Sequence, residues 1–187
     1  MPKIIYKFAE LCPGAQAKAI ENKQNNGLDY EWFEEVFNDA KHSAGLLGIE
    51  INNIYFSGFY SQGDGACFTG RYTYKFEWRE MLKEYAPTDK KLIEIGEALQ
   101  AAQRSHSHLI RTDIVHRGRY NHEYTMHLEE CHADTENSVL EPLREFARWI
   151  YSQLEKENNY LSSDEVIAED LKINGDEFIE SGALWIP

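Results

Sequence analysis

The chain is short of cysteine, of positive charge and of long apolar runs, and each shortage removes a class of protein. Its three cysteines, Cys12, Cys67 and Cys131, lie far apart, form no C-x-x-C pair and leave an odd count. That argues against a disulfide framework or a cysteine-rich zinc site and fits a reducing cytoplasm. No apolar stretch approaches the roughly 20 residues that cross a bilayer, and the opening MPKIIYKFAELCPG lacks the basic-then-apolar pattern of a secretion signal. Neither export nor membrane insertion is expected. Basic residues number 19 against 32 acidic, a net charge of -13, so the averaged surface field repels phosphate backbones and attracts basic partners. Direct nucleic-acid binding is therefore not expected.

What the chain has is apolar and aromatic mass. Hydrophobic residues make up 42% and aromatics 13% of the 187 residues, enough for a packed interior rather than a disordered chain. No internal repeat, low-complexity tract or linker interrupts it, so one globular domain over residues 1–187 is expected. The acidity is uneven. Between Glu155 and Glu180 nine acidic residues face only Lys156 and Lys172, a net of -7, more than half of the total excess.

Periodicity orders the elements. KIIYKFAEL reads as a strand and Ala15–Gln24 as a helix stopped by Asn25-Asn26-Gly27. Trp32, Phe33, Val36, Phe37, Ala40, Ala44 and Leu47 recur at helical spacing, with Asp29 as N-cap and Gly48 as stop. In 66–76 the period changes to two: Ala66, Phe68, Gly70, Tyr72, Tyr74 and Phe76 alternate with Cys67, Thr69, Arg71, Thr73 and Lys75. With IYFSGFYS before it, this predicts a hairpin turning at QGDG, with Cys67 on the polar face.

A short helix over Glu77–Tyr85 follows, then one capped by Thr88 with Leu92, Ile95, Leu99 and Ala102 on its apolar face. A second long hairpin turns at Arg117-Gly118-Arg119. Two more helices are expected, over roughly 136–157 and from Ser162-Ser163-Asp164-Glu165 onward. Two hairpins interleaved with helices predict an α+β fold: an antiparallel sheet of four or five strands, with helices packed mainly on one face.

Three constellations bear on chemistry. Asp-Gly-x-Cys, here Asp64 to Cys67, also occurs at the nucleophile of ovarian-tumour-type deubiquitinating cysteine proteases, where the cysteine opens a helix whose dipole helps hold a thiolate. Here the residues after Cys67 alternate as a strand, so the expected role is structural. The catalytic alternative combines Cys67 with Asp64 and a hairpin histidine such as His122. Second, His106, His108, His116, His122, His127 and His132 fall within 27 residues, but strand parity sends His122 and His127 to opposite faces. No metal or other cofactor is expected. Third, Arg104, Arg111, Arg117 and Arg119 give the second hairpin a basic zone that would grip a phosphate or nucleotide bidentately, or pair with Glu123, Glu129 and Glu130 of the same hairpin, with Arg71 on the first hairpin a further binding candidate.

The acidic helices carry the remaining binding candidates, Glu165, Glu169 and Asp170, joined by Gln62 and Asp64 on the glycine loop. Carboxylates spaced like phosphates on a rigid helix would imitate nucleic acid; the plainer reading is a solvated face. Trp149, Tyr151 and Tyr160 are expected as anchors beside that surface.

IYFSGFYSQGDGACFTG at 54–70, HRGRYNHEYTM at 116–126 and LREFARWIYSQLEKENNYLSSDE at 143–165 resemble a family of small bacterial and phage or prophage proteins labelled "antitoxin of toxin-antitoxin stability system". The likeness spans roughly residues 45–165 and brings no catalytic residues. It implies a mobile-element setting in a bacterial cytoplasm, where small acidic proteins neutralise a toxin or block a host-defence complex such as CRISPR machinery. The expected partner is thus a basic protein: a toxin, a nuclease or a defence complex. Self-association as a homodimer is left open.

Overall fold

The structure, a computed structural model, describes residues 4–129, 131 and 133–186. Its contacts group into two compact units, residues 33–155 and residues 1–32 with 156–187.

The first unit is built on one antiparallel sheet. Helix α2 (Glu34–Leu46) ends at a turn where Gly48 has φ +83° and Thr73 N–H donates to its carbonyl at 2.9 Å. Strands β2 (Ile49–Phe56) and β3 (Ala66–Thr73) then form the first hairpin. Helices α3 (Trp78–Tyr85) and α4 (Lys90–Arg104) follow, and strands β4 (Arg111–His116) and β5 (Met126–Glu129) form the second hairpin. β4 pairs antiparallel with β3, giving the order β2-β3-β4-β5. The α+β fold read from the sequence, with its sheet made of two hairpins, is the fold observed.

One face of the sheet carries Ile49, Ile54, Phe68, Tyr72, Ile114 and Leu128, all buried. Helix α5 (Ala133–Leu161) covers it, Phe146 meeting Phe68 edge to face at 5.8 Å between centroids. The apolar positions foreseen for α4, Leu92, Ile95, Leu99 and Ala102, are all buried. Its cap is Asp89 rather than Thr88: the Asp89 carboxylate accepts from Leu92 N–H at 3.0 Å and from Trp149 Nε1–H at 2.9 Å. Trp149 is consequently part of the core rather than a surface anchor. Across the opposite, open face run Glu50, Arg71 and Arg111, all exposed.

The second unit contains α1 (Pro13–Asn25), α6 (Asp164–Ile173) and a two-stranded sheet of β1 (Tyr6–Lys7) and β6 (Glu177–Phe178). Its core is Phe8, Leu11, Ala15, Ala19, Ile167, Leu171 and Phe178. Ser163 caps α6, its hydroxyl accepting from Val166 N–H at 3.4 Å.

Three expectations change. The opening strand is cut to Tyr6–Lys7 because a 3-10 turn takes Phe8–Glu10 inward, burying Phe8. Asp29 does not cap α2, which starts at Glu34; the Asp29 carbonyl instead closes a turn by accepting from Trp32 N–H at 3.2 Å. The second hairpin does not turn over three residues. Residues 117–125 leave the ladder between His116 and Met126 and include a 3-10 turn at Glu123–Thr125, so His122 and Tyr124 are not strand positions.

Gly96 tests the packing of α4. A Cβ there would lie 2.3 Å from the Trp78 ring, whereas one at helical Gly45 meets nothing within 4 Å. Gly96→Ala is expected to destabilise the protein by about 1–3 kcal/mol through overpacking. Gly45→Ala is expected to stabilise it by about 0.5–1 kcal/mol. Urea midpoints measured side by side check the opposite signs.

Candidate functional site

The loop 57–65 is held shut by its own residues. The Asp64 carboxylate accepts from the N–H groups of Tyr60 (3.1 Å) and Ser61 (2.7 Å), and Asp64 N–H donates to Ser61 O at 3.1 Å. Across the neck, Ser57 N–H donates to Gly65 O at 3.0 Å and Gly65 N–H to Ser57 Oγ at 3.3 Å. Gly63 supplies the positive φ, +91°, that the crown of the turn requires. Tyr151 from α5 braces the loop, its hydroxyl donating to Gly58 O at 2.8 Å and its ring lying 5.4 Å from that of Phe59. Burial, and then the nearby charge of Asp64, push the Tyr151 hydroxyl pKa up, so it stays a donor at neutral pH.

The second loop, 117–125, lies against the first. A Cβ on Gly65 would stand 2.7 Å from His122 Cβ and 3.1 Å from its Cα, an approach only glycine allows. Asn121 Nδ2–H donates to Phe56 O at 3.3 Å. Within the loop, Arg117 N–H donates to Thr125 O (2.9 Å), Thr125 Oγ1–H to His122 O (2.7 Å) and Tyr124 N–H to His122 Nδ1 (3.2 Å). Beneath it, Arg148 joins Glu123 (3.0 Å), Glu141 (2.9 Å) and Glu145. Burial alone would lower the Arg148 guanidinium; the bonds with Glu141, Glu123 and Tyr124 outweigh it and raise the pKa.

Two rows of rings result, joined where Gly65 meets His122. One runs Phe56, Phe59, Tyr60; the other runs Tyr120, His122, Tyr124, with centroid spacings of 6.2 and 5.9 Å. Tyr60 is 85% exposed, Tyr124 60% and Tyr120 53%. The Arg119 guanidinium lies 5.1 Å from the Tyr120 ring centroid and donates to its hydroxyl at 3.1 Å. Tyr124 rests over the guanidinium groups of Arg144 and Arg148, at 5.4 and 5.6 Å. Tyrosine and arginine are the residues that most often anchor protein interfaces. Backbone bonds that already hold them lower the ordering cost of association.

The catalytic alternative does not assemble. Cys67 was expected on the wet face of its strand; it is fully buried. Parity is as read, with Cys67 on the Arg71 side of β3, but the 117–125 loop closes over that end of the sheet, bringing a Thr125 side-chain hydrogen bond and the Glu123 charge to the thiol. Burial pushes the thiol pKa up, away from a thiolate. The Asp64 carboxylate is turned to the Tyr60 and Ser61 amides and His122 Nδ1 to Tyr124, so no relay links the three.

The basic zone is divided among carboxylates. Arg71 holds Asp113 through two bonds (2.6 and 3.2 Å), and Arg117 holds Glu129 at 2.6 Å. The Arg71 hydrogen bond keeps the Asp113 carboxyl below its usual range. Arg111 is exposed on the open sheet face and Gln62 at the loop crown. In the other unit Glu165 and Glu169 are exposed on α6, while Asp170 lies 3.7 Å from Lys23 and accepts from Asn174 Nδ2–H at 2.9 Å.

The His106 and His108 rings are 5.6 Å apart and His127 is in β5; His132 lies outside the described residues. Among the described residues no three His, Cys, Asp or Glu side chains gather as a metal site. No helix of the described residues is long and apolar enough to cross a membrane. The tyrosine rows are what the sequence reading missed. The signal was present as two aromatics in each loop, Phe59 and Tyr60 in the first and Tyr120 and Tyr124 in the second, without anything to place the loops together.

Comparison with known families matches residues 32–164 to the family described as a domain of unknown function (DUF8835). Neither a curated protein nor a solved structure matches the chain.

Thiol reactivity separates the three cysteines. Native protein treated with iodoacetamide at neutral pH is expected to label exposed Cys12 first. Cys67 should label at least about tenfold slower than a free thiol, and react fully only in denaturant. Mass spectrometry of tryptic peptides reads the order. Rapid native labelling of Cys67 would revive the catalytic reading.

Proposed function

We infer that this chain, which belongs to the family described as a domain of unknown function (DUF8835), is a protein-binding inhibitor that neutralises a basic macromolecular partner in the bacterial cytoplasm, in the manner of an antitoxin or an anti-defence protein. The observation that carries this reading is the pair of interlocked loops presenting Tyr60, Tyr120, Tyr124 and Arg119 on bonded backbone. All of these residues fall within the matched segment 32–164.

The net charge of -13 supports the choice of a basic partner, because a field of that sign speeds encounter with a cationic surface. Division of labour follows: charge brings the partner in, and aromatic burial at the loops holds it. Exposed Glu165 and Glu169 add to the field without ion-pair partners of their own in the described structure. A stable contact of this kind covers about 800 Å² per partner, more than the tyrosine rows alone present, so the open polar sheet face beside them belongs to the expected footprint. The phosphate-ligand alternative has less support, since Arg71 and Arg117 already hold carboxylates.

Affinity capture from host lysate, with mass spectrometry and binding measured on the recovered protein, tests the reading. A basic protein should be recovered with the parent chain. Tyr120→Ala with Tyr124→Ala should weaken binding by about 30-fold or more, as loss of a central anchor does. Charge reversal at Glu165 and Glu169, or raised salt, should slow association several-fold. Recovery of no partner, or binding indifferent to the tyrosine changes, would sink the proposal.

A further inference from the structure

The unit made of residues 1–32 and 156–187 contains a cavity of about 240 Å³ that the loop platform does not use. Its apolar walls are Leu28, Trp32, Leu161, Val166 and Ile167, with polar groups making up the rest of the lining. A space of this size suits one large side chain rather than a drug-sized ligand, whose pockets run from about 300 Å³ upward.

The charges around it are of one prevailing sign. Asp29 and Asp170 line the cavity together with Lys23. Lys23 reaches Asp170 only at 3.7 Å, with both side chains more than 40% exposed, so that pair is weak and easily exchanged. Two helix C-termini close on the same space, α1 ending at Asn25 and α5 at Leu161, and their carbonyl ends favour a cation. The N-terminus of α6 is the opposing contribution. Ser163 takes up the Val166 N–H there, and Asp164 and Glu165 occupy the first turn, offsetting its positive end. An anion would meet Asp29, Asp170 and two carbonyl ends against the single ammonium of Lys23, and a neutral apolar group would add nothing to the weak Lys23 pair and the Asn174 bond that Asp170 already has.

We propose that this cavity receives an arginine or lysine side chain, flanked by an apolar residue, from a basic peptide segment of a partner protein. The methylene stem lies along Trp32 and Ile167 and the charged head reaches Asp29 and Asp170 at the rim. Tryptophan is the aromatic face that best accepts such a cation. A long basic side chain buries its stem while leaving its head in water. The identity of the segment's owner rests on the basic-partner reading above; the site itself does not.

The test titrates the full chain, labelled with nitrogen-15, with an N-acetylated, C-amidated hexapeptide of alternating arginine and leucine. The control is the same peptide with neutral citrulline in place of arginine. Saturable shifts are expected at the Trp32 indole N–H and at the Val166 and Ile167 amides, with affinity at least tenfold lower for the citrulline peptide. Asp29→Asn with Asp170→Asn should also lower affinity at least tenfold. Glu165→Lys with Glu169→Lys, outside the cavity, should change it less than threefold.

Trp32→Ala should abolish the shifts; if that variant does not fold, the two aspartate changes carry the test, since both sites are at the surface. Shifts confined to the Glu165 and Glu169 amides, equal affinity for the citrulline peptide, or no saturation at millimolar peptide would each overturn the proposal. The Tyr120→Ala, Tyr124→Ala variant must bind the peptide as the parent does. Lost partner capture with intact peptide binding defeats only the platform, and intact capture without peptide binding defeats only the cavity.

Discussion

Pairing of β3 with β4 is the constraint on which the larger unit depends. It joins two hairpins separated in the chain by α3 and α4, setting Gly70 opposite Ile114 and Arg71 opposite Asp113. Gly70 is needed there for a reason of space: a Cβ would stand 1.9 Å from the Glu50 carbonyl oxygen on β2. Once that register is set, the turn of the first hairpin and the excursion of the second arrive at the same end of the sheet. Gly65 then meets His122, Asn121 reaches Phe56, and Cys67 is closed over.

The chemistry of the surface follows from the same arrangement. Groups that would do acid–base or nucleophilic work are committed to holding the backbone: Asp64 to two amides, His122 to one, Cys67 to Thr125. What faces solvent is aromatic and cationic at the loops, inside a protein whose total charge is strongly negative. These three side chains thus serve the loops themselves, while rings and a guanidinium are what the loops present to solvent. The Arg148 cluster shows the division again, with one guanidinium tying three carboxylates together beneath Tyr124. Tyr124 therefore stands on a charged, bonded floor, whereas an unsupported loop tyrosine would have to lose its freedom on binding.

Much of the fold was legible because its determinants are local. The 3.6-residue spacing of Leu92, Ile95, Leu99 and Ala102, the alternation through Phe68, Gly70 and Tyr72, and Ser163 before an acidic first turn each identify an element from a few neighbouring residues. The misread features are those whose cause lies far along the chain. Parity correctly set Cys67 on the Arg71 side of its strand but carried no information about what covers that face, which is a loop some fifty residues later. Trp149 looked like a surface anchor until Asp89 supplied a partner for its indole N–H, making a buried position favourable. The nine-residue excursion at 117–125 has no hydrophobic period to announce it and reads in the sequence as a tight turn.

By itself the sequence determined the net charge and the kind and order of the principal helices and of the two hairpins, though not the short strand β6. Those properties are sums over residues or patterns within a single element, so no partner elsewhere in the chain is needed to specify them. Only the tertiary structure decided which aromatics remain in solvent, which charges are already engaged, and that a cavity rimmed by Asp29 and Asp170 exists at all. Each of these depends on side chains brought together across long separations, where the burial of one group is settled by the backbone path of another.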